Sequence, residues 1–105
     1  MPYLIDASDR AGAADLRQAT RPRHLRFVEE NLHRLLAAGA KLDEDGVPTG
    51  TFYILDSESR AEAEDFIAAD PYAAEGVFGR TSIMKWRKGF FNFARADARP
   101  AEARP

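Results

Sequence analysis

Thr20 to Gly39 reads TRPRHLRFVEENLHRLLAAG, and the reading of this stretch decides the fold. Leu25, Val28, Leu32, Leu35 and Leu36 recur at helical spacing, while Arg23, Arg26, Glu30 and Arg34 mostly take the other side, the pattern of an amphipathic helix with one buried stripe. Thr20 is placed to cap it through its hydroxyl. Pro22 suits a first turn whose N–H groups lack helical partners, and Gly39 suits the C-terminal stop. The expected helix spans 20–39, with His24 in its first turn.

Working outward, Pro2 to Ala7 (PYLIDA) is rich in strand-forming residues and is bounded by Ser8, Asp9 and Gly12, which predicts a first, central strand. Ser8 to Thr20 is polar with small residues and no firm period, and reads as a loop with at most one helical turn. Beyond the helix, Ala40 to Leu42 begins a second strand and Thr51 to Leu55 (TFYIL) forms a third. Gly46, Pro48 and Gly50 are assigned to the loop of the hairpin between them. The next helix starts at Asp56 or Ser57, with Ser59 and Glu62 at capping-box spacing and Ala63, Phe66 and Ile67 on one side. It ends near Ala69 or Asp70, ahead of Pro71. A fourth strand runs from Val77 or Arg80 to Trp86, with an extension toward Phe91, and the tail from Ala94 to Pro105 is expected to be mobile.

The order strand, helix, strand, strand, helix, strand is the α+β, ferredoxin-like βαββαβ arrangement, with two helices on one face of an antiparallel sheet. The other face then needs cover. A second subunit's sheet would supply it, with Tyr53, Phe78, Trp86, Phe90, Phe91 and Phe93 as candidates for that burial.

Composition narrows the function. The 105 residues suffice for one domain, and a hydrophobic fraction of 45% with 30% charged residues is that of a globular chain. A formal net charge of −2 argues against nucleic-acid binding through bulk positive charge. The absence of cysteine excludes disulfides, thiolate chemistry and cysteine-ligated metals. No apolar run approaches bilayer-spanning length, and the N-terminus lacks a basic start and a long apolar core, so a cytoplasmic protein is expected.

Two histidines are present, and histidine is the side chain best suited to proton transfer near neutral pH. At 100° per residue His24 projects about 40° from Val28 and borders the buried stripe, whereas His33 points about 180° away from His24. The pair is therefore unsuited to a shared metal. By geometry alone His24 is either a boundary residue satisfied by backbone or water, or a proton-transfer group that needs a partner. Asp70, in AADPYAAEG from Ala68 to Gly76, offers a carboxylate to fix its tautomer, and equally fits a cap of the Asp-Pro turn. Arg21 and Arg23 flank the helix start, where spare N–H groups favour an anion; both also read as solvated surface residues. Tyr72 belongs either to a pocket wall or to the core. Ser82 has no evident triad setting.

Arg21-Pro22-Arg23-His24-Leu25 opening a helix, the Ala-Gly at its end, the Ser-X-Ser-X-Ala-X-Ala helix start, and Asp70-Pro71-Tyr72-X-X-X-Gly76-Val77 before a strand ending at Trp86 together resemble the YciI-like (YCII-related) family over about residues 2–88. The resemblance implies a dimeric α/β barrel of ferredoxin-like subunits, with a pocket beside the sheet holding a histidine and an aspartate proposed as an acid–base pair. By position these are His24 and Asp70; Arg21 and Tyr72 are, by their own placement beside them, the candidate substrate-binding residues. It also implies a small-molecule substrate and lyase chemistry of the dehydrochlorinase type, or isomerase chemistry, since one branch removes chloride from chlorinated hydroxyquinols and related barrels include muconolactone isomerases.

No cofactor or metal, no nucleic acid and no membrane is expected, and the partner is a second copy of the chain. The rival is a noncatalytic small-molecule-binding or regulatory dimeric module; a haem- or quinone-handling barrel ranks behind both, resting on fold analogy alone. Two features depart from the family pattern. Gly39-Ala40 stands where many relatives have Gly-Pro, followed by the acidic DEDG from Asp43, and residues 89–105 extend beyond the resembling domain.

Overall fold

A computed structural model describes residues 1–96. In chain order the elements are β1 (Tyr3–Asp9), α1 (Ala14–Glu30), a 3-10 turn (Leu32–Arg34), β2 (Leu35–Leu42), β3 (Pro48–Leu55), α2 (Arg60–Ala69), α3 (Pro71–Ala74), β4 (Phe78–Lys85) and a short hairpin of β5 (Phe90–Phe91) with β6 (Ala94–Arg95). The main sheet has the order β2-β3-β1-β4 with every pair antiparallel. This is the ferredoxin-like βαββαβ fold with β1 central, as the element order predicts.

Alternation along the two central strands builds the core. Tyr3, Ile5 and Ala7 of β1 and Thr51, Tyr53 and Leu55 of β3 point to one face and are buried. They meet Ala63, Phe66 and Ile67 of α2, with Phe27 and Val28 of α1 at the margin. Tyr53 and Phe78 therefore pack toward the helices and not on the open face expected for them. On that open face Lys41 Nζ crosses the sheet to Asp6 Oδ1 (2.6 Å) and Ser8 Oγ (2.9 Å). It passes over Gly50, where a Cβ would fall 2.5 Å from Lys41 Cε and 2.2 Å from the Ala7 carbonyl oxygen. Glycine is required there by close approach, not by φ.

The decisive stretch divides differently from its expected single helix. α1 begins at Ala14, within the predicted loop, and ends at Glu30; Leu35, Leu36 and Gly39 belong to β2, paired with β3. Leucine and alanine favour helices in isolation, but pairing with β3 outweighs that preference. Thr20 is not a cap. It lies mid-helix, fully buried, with its hydroxyl unpartnered among the described residues, and Ala13 at the true N-cap makes no side-chain cap bond. Pro22 is consequently in the helix interior.

Pro48 and Gly50, expected in the loop, lie in β3, Pro48 as its first residue, a position that proline tolerates. α2 starts later than Asp56 or Ser57, because Ser59 is its N-cap, its Oγ accepting from Glu62 N–H at 3.3 Å; it ends at Ala69 as expected. β4 stops at Lys85, and Phe90 and Phe91 form a separate hairpin with Ala94 and Arg95. The remainder of the expected mobile tail, 97–105, lies outside the described residues.

Candidate active site

Asp70 joins α2 to α3 and is completely buried. Its Oδ1 accepts the Tyr72 backbone N–H at 2.8 Å, the Asp-Pro turn cap that the sequence suggested. The same carboxylate faces His24 of α1, whose Nδ1 lies 3.0 and 3.1 Å from its two oxygens, and Oδ2 also accepts a hydrogen bond from the Tyr53 hydroxyl. Residues forty-six positions apart thus meet in the interior. Burial, and then the Asp70 charge, push the Tyr53 phenol far above its ordinary range, so that it remains a donor.

Tyr72 stacks on the His24 ring, with centroids 4.0 Å apart and planes 15° from parallel, and the Arg17 guanidinium lies 4.6 Å from the Tyr72 ring centre. Arg17 and His24 are two turns apart on one face of α1, about 10.5 Å along an ideal helix, and both touch this ring. Arg17 is itself held by both oxygens of Asp9 at 3.0 Å and by Thr51 Oγ1 at 3.1 Å, so its buried charge is paired. Burial raises the Tyr72 phenol pKa, while Arg17 and Arg21 pull it down.

A cavity of about 220 Å³ opens beside this group. Arg17, Arg21, His24 and Leu25 line it from α1, and Ala38, Gly39 and Ala40 from β2; the small β2 side chains leave the space between strand and helix. The residues departing from the Gly-Pro pattern therefore form a wall of the cavity. A second cavity, of about 450 Å³, shares Arg17, Arg21 and Ala40 and continues to Val47 and Pro48. Among the described residues Arg21 has no ion-pair partner, whereas Arg23 reaches Glu75 at 3.6 Å and does not line either cavity.

His24, Asp70, Arg21 and Tyr72 are thus brought to one place, and His33 lies in the 3-10 turn beyond α1, separated from His24 by the helix end and not by helical phase. Sequence reasoning missed Arg17, which it assigned to a loop, and Tyr53, which it assigned to the open face. Extending α1 backwards would have found Arg17, since it and His24 share a face at a spacing of seven. Among the described residues no three His, Cys, Asp or Glu side chains cluster as a metal site would require.

The YCII-related domain model matches residues 1–87. The chain belongs to the YCII-related family. Protein YciI of Escherichia coli O6:H1 is 35% identical to it over 99 residues, spanning 86% of this chain and all of that protein. An uncharacterized protein of Haemophilus influenzae is 31% identical over 98 residues, with the same coverage. Among solved structures, the YCII-related fold matches 5-chloro-2-hydroxyhydroquinone dehydrochlorinase (TftG) of Burkholderia phenoliruptrix, in complex with 2,5-dihydroxybenzoquinone. The TM-score is 0.77 at 29% identity, covering 83% of this chain and 94% of that one.

Proposed function

We propose that this YCII-related chain is a cytoplasmic, homodimeric enzyme that acts on a small cyclic or aromatic compound by proton abstraction followed by elimination or isomerisation. The observation that carries the reading is the buried His24–Asp70 pair beside a cavity of small-molecule size. His24 is the acid–base group, its Nδ1 held by Asp70 and its Nε2 left for the substrate. Arg21, at the cavity and without an ion-pair partner among the described residues, binds an anionic oxygen of the substrate, and Tyr72, buried against His24 and Arg17, closes the inner wall of the cavity. Residues 1–88 form the working domain, and 89–105 are an extension of it.

The hydroxyhydroquinone that TftG is named for and the benzoquinone bound to it support a six-membered, oxygen-substituted ring as the substrate class. For loss of HCl from a chlorinated hydroxyquinol the balance closes. His24 Nε2 takes a hydroxyl proton and returns it to the chlorine-bearing carbon; chloride then leaves with the C–Cl electron pair as a second hydroxyl gives its proton to the same Nε2, which passes it to solvent.

The test is chloride release from 5-chloro-2-hydroxyhydroquinone, alongside a panel of phenolic and lactone acids screened by thermal shift with product analysis on each hit. His24→Gln is expected to lower turnover of the converted compound by roughly 100-fold or more. Turnover equal to the parent's would remove His24 from the mechanism, and binding of hits without conversion would leave a binding module.

A further inference from the structure

We infer that Tyr53 is the positioning residue of the His24–Asp70 pair: with the Tyr72 N–H it keeps both Asp70 oxygens as acceptors, so that His24 rests with its proton on Nδ1 and its lone pair on Nε2. This rests on the acid–base reading above and adds the residue that holds the pair in its proton-accepting state.

The hydrogen-bond inventory carries the argument. Asp70 Oδ1 takes the Tyr72 N–H and Oδ2 takes the Tyr53 O–H, so His24 Nδ1 meets only acceptor oxygens and must donate. A neutral imidazole that donates at Nδ1 accepts at Nε2, and Nε2 has no protein partner among the described residues. Tyr53 reaches this carboxylate from β3, on the sheet side of the site, with its ring edge-on to both His24 (6.4 Å) and Phe66 (5.4 Å). It does not line the cavity, so it acts through Asp70 and not on the substrate. The core thereby fixes the site: a ring locked by α2 packing determines where the Asp70 charge sits.

Every charged or titratable neighbour enters the expected behaviour of His24. Asp70 faces it from the junction of α2 and α3, Tyr72 from α3 and Tyr53 from β3; Arg17 and Arg21 stand on α1 itself, Arg17 being held by Asp9 of β1. Removing only the Tyr53 hydroxyl takes a donor from Asp70 and leaves more of its negative charge for the imidazolium. The imidazolium should then be held more tightly in Tyr53→Phe than in the parent.

The experiment is a nitrogen-15 NMR titration of the full chain and of Tyr53→Phe, with the His33 signals identified by His33→Gln. Expected are a wild-type His24 in the Nδ1–H tautomer above its midpoint, and an upward-shifted midpoint in Tyr53→Phe. An unshifted midpoint, or an Nε2–H wild-type tautomer, overturns the proposal. A merely structural tyrosine would lower Tm without moving the titration. Should Tyr53→Phe not fold, the wild-type protein still decides: a slowly exchanging downfield Tyr53 hydroxyl proton supports the assignment and its absence refutes it. Because this readout needs no turnover, it fails independently of the His24→Gln experiment.

Discussion

The two long helices lie on the same face of the sheet and bury opposite kinds of surface. α2 turns Ala63, Phe66 and Ile67 inward and is capped by Ser59. α1 turns Arg17, Thr20 and His24 inward, has no side-chain cap, and leaves Leu25 37% and Leu32, just beyond its end, 62% exposed. Burying an apolar side chain yields about 1.5–3 kcal/mol, whereas a buried polar group must find a hydrogen bond merely to avoid a loss. α2 therefore supplies stability, and α1 depends on it while carrying the groups that line the cavity.

The sharpest way to break this contrast is at Phe66, which packs on Phe27 and Tyr53 at centroid distances of 5.0 and 5.4 Å. Phe66→Ala is expected to cost about 3–5 kcal/mol in urea denaturation. A cost under 1 kcal/mol would mean that α2 is not the stabilising helix.

The next effect is alkaline. The Tyr53 phenol holds its proton in the folded chain well above 10.0, its ordinary value, at which the unfolded chain loses it. Above that pH the unfolded state binds fewer protons, so this contribution, intact below pH 10, is lost as pH rises at about 1.4 kcal/mol per unit. Comparing denaturation at pH 9 and pH 11 should show a smaller drop in Tyr53→Phe than in the parent. Equal drops would disconnect the tyrosine from the pH response.

The smallest effect sharpens the comparison from the α1 side. Leu25→Gln should change stability by less than about 0.5 kcal/mol, since Leu25 is largely solvent- and cavity-facing. A loss of 2 kcal/mol in the same denaturation assay would restore the leucine stripe as a core element.

That stripe shows what the sequence could and could not convey. The strand-forming run of β1, the Ser59–Glu62 capping spacing and the Asp70-Pro71 turn are local, and each was legible. The inward face of α1 was not, because Thr51 and Asp70 are remote in sequence and Asp9, though near, lies in β1 before the turn into α1, and a polar face without these partners reads as solvated surface. Leu35 and Leu36 misled for the converse reason, continuing a helical period by chance into a strand held by β3. His24 and Asp70 could be singled out because few residue types do proton chemistry and because their spacing resembled a family pattern; Tyr53 looked like one more aromatic in a strand whose two faces are both apolar.

Pro22 stands between the turn that carries Arg17 and the turn that carries His24. Having no N–H, it denies the Gln18 carbonyl its usual helical donor, and the ladder is thinnest at that point. Arg17 and His24, on either side of that missing hydrogen bond, are tied together a second time by the Tyr72 ring that both touch, so the ring bridges the helix where its own ladder is interrupted.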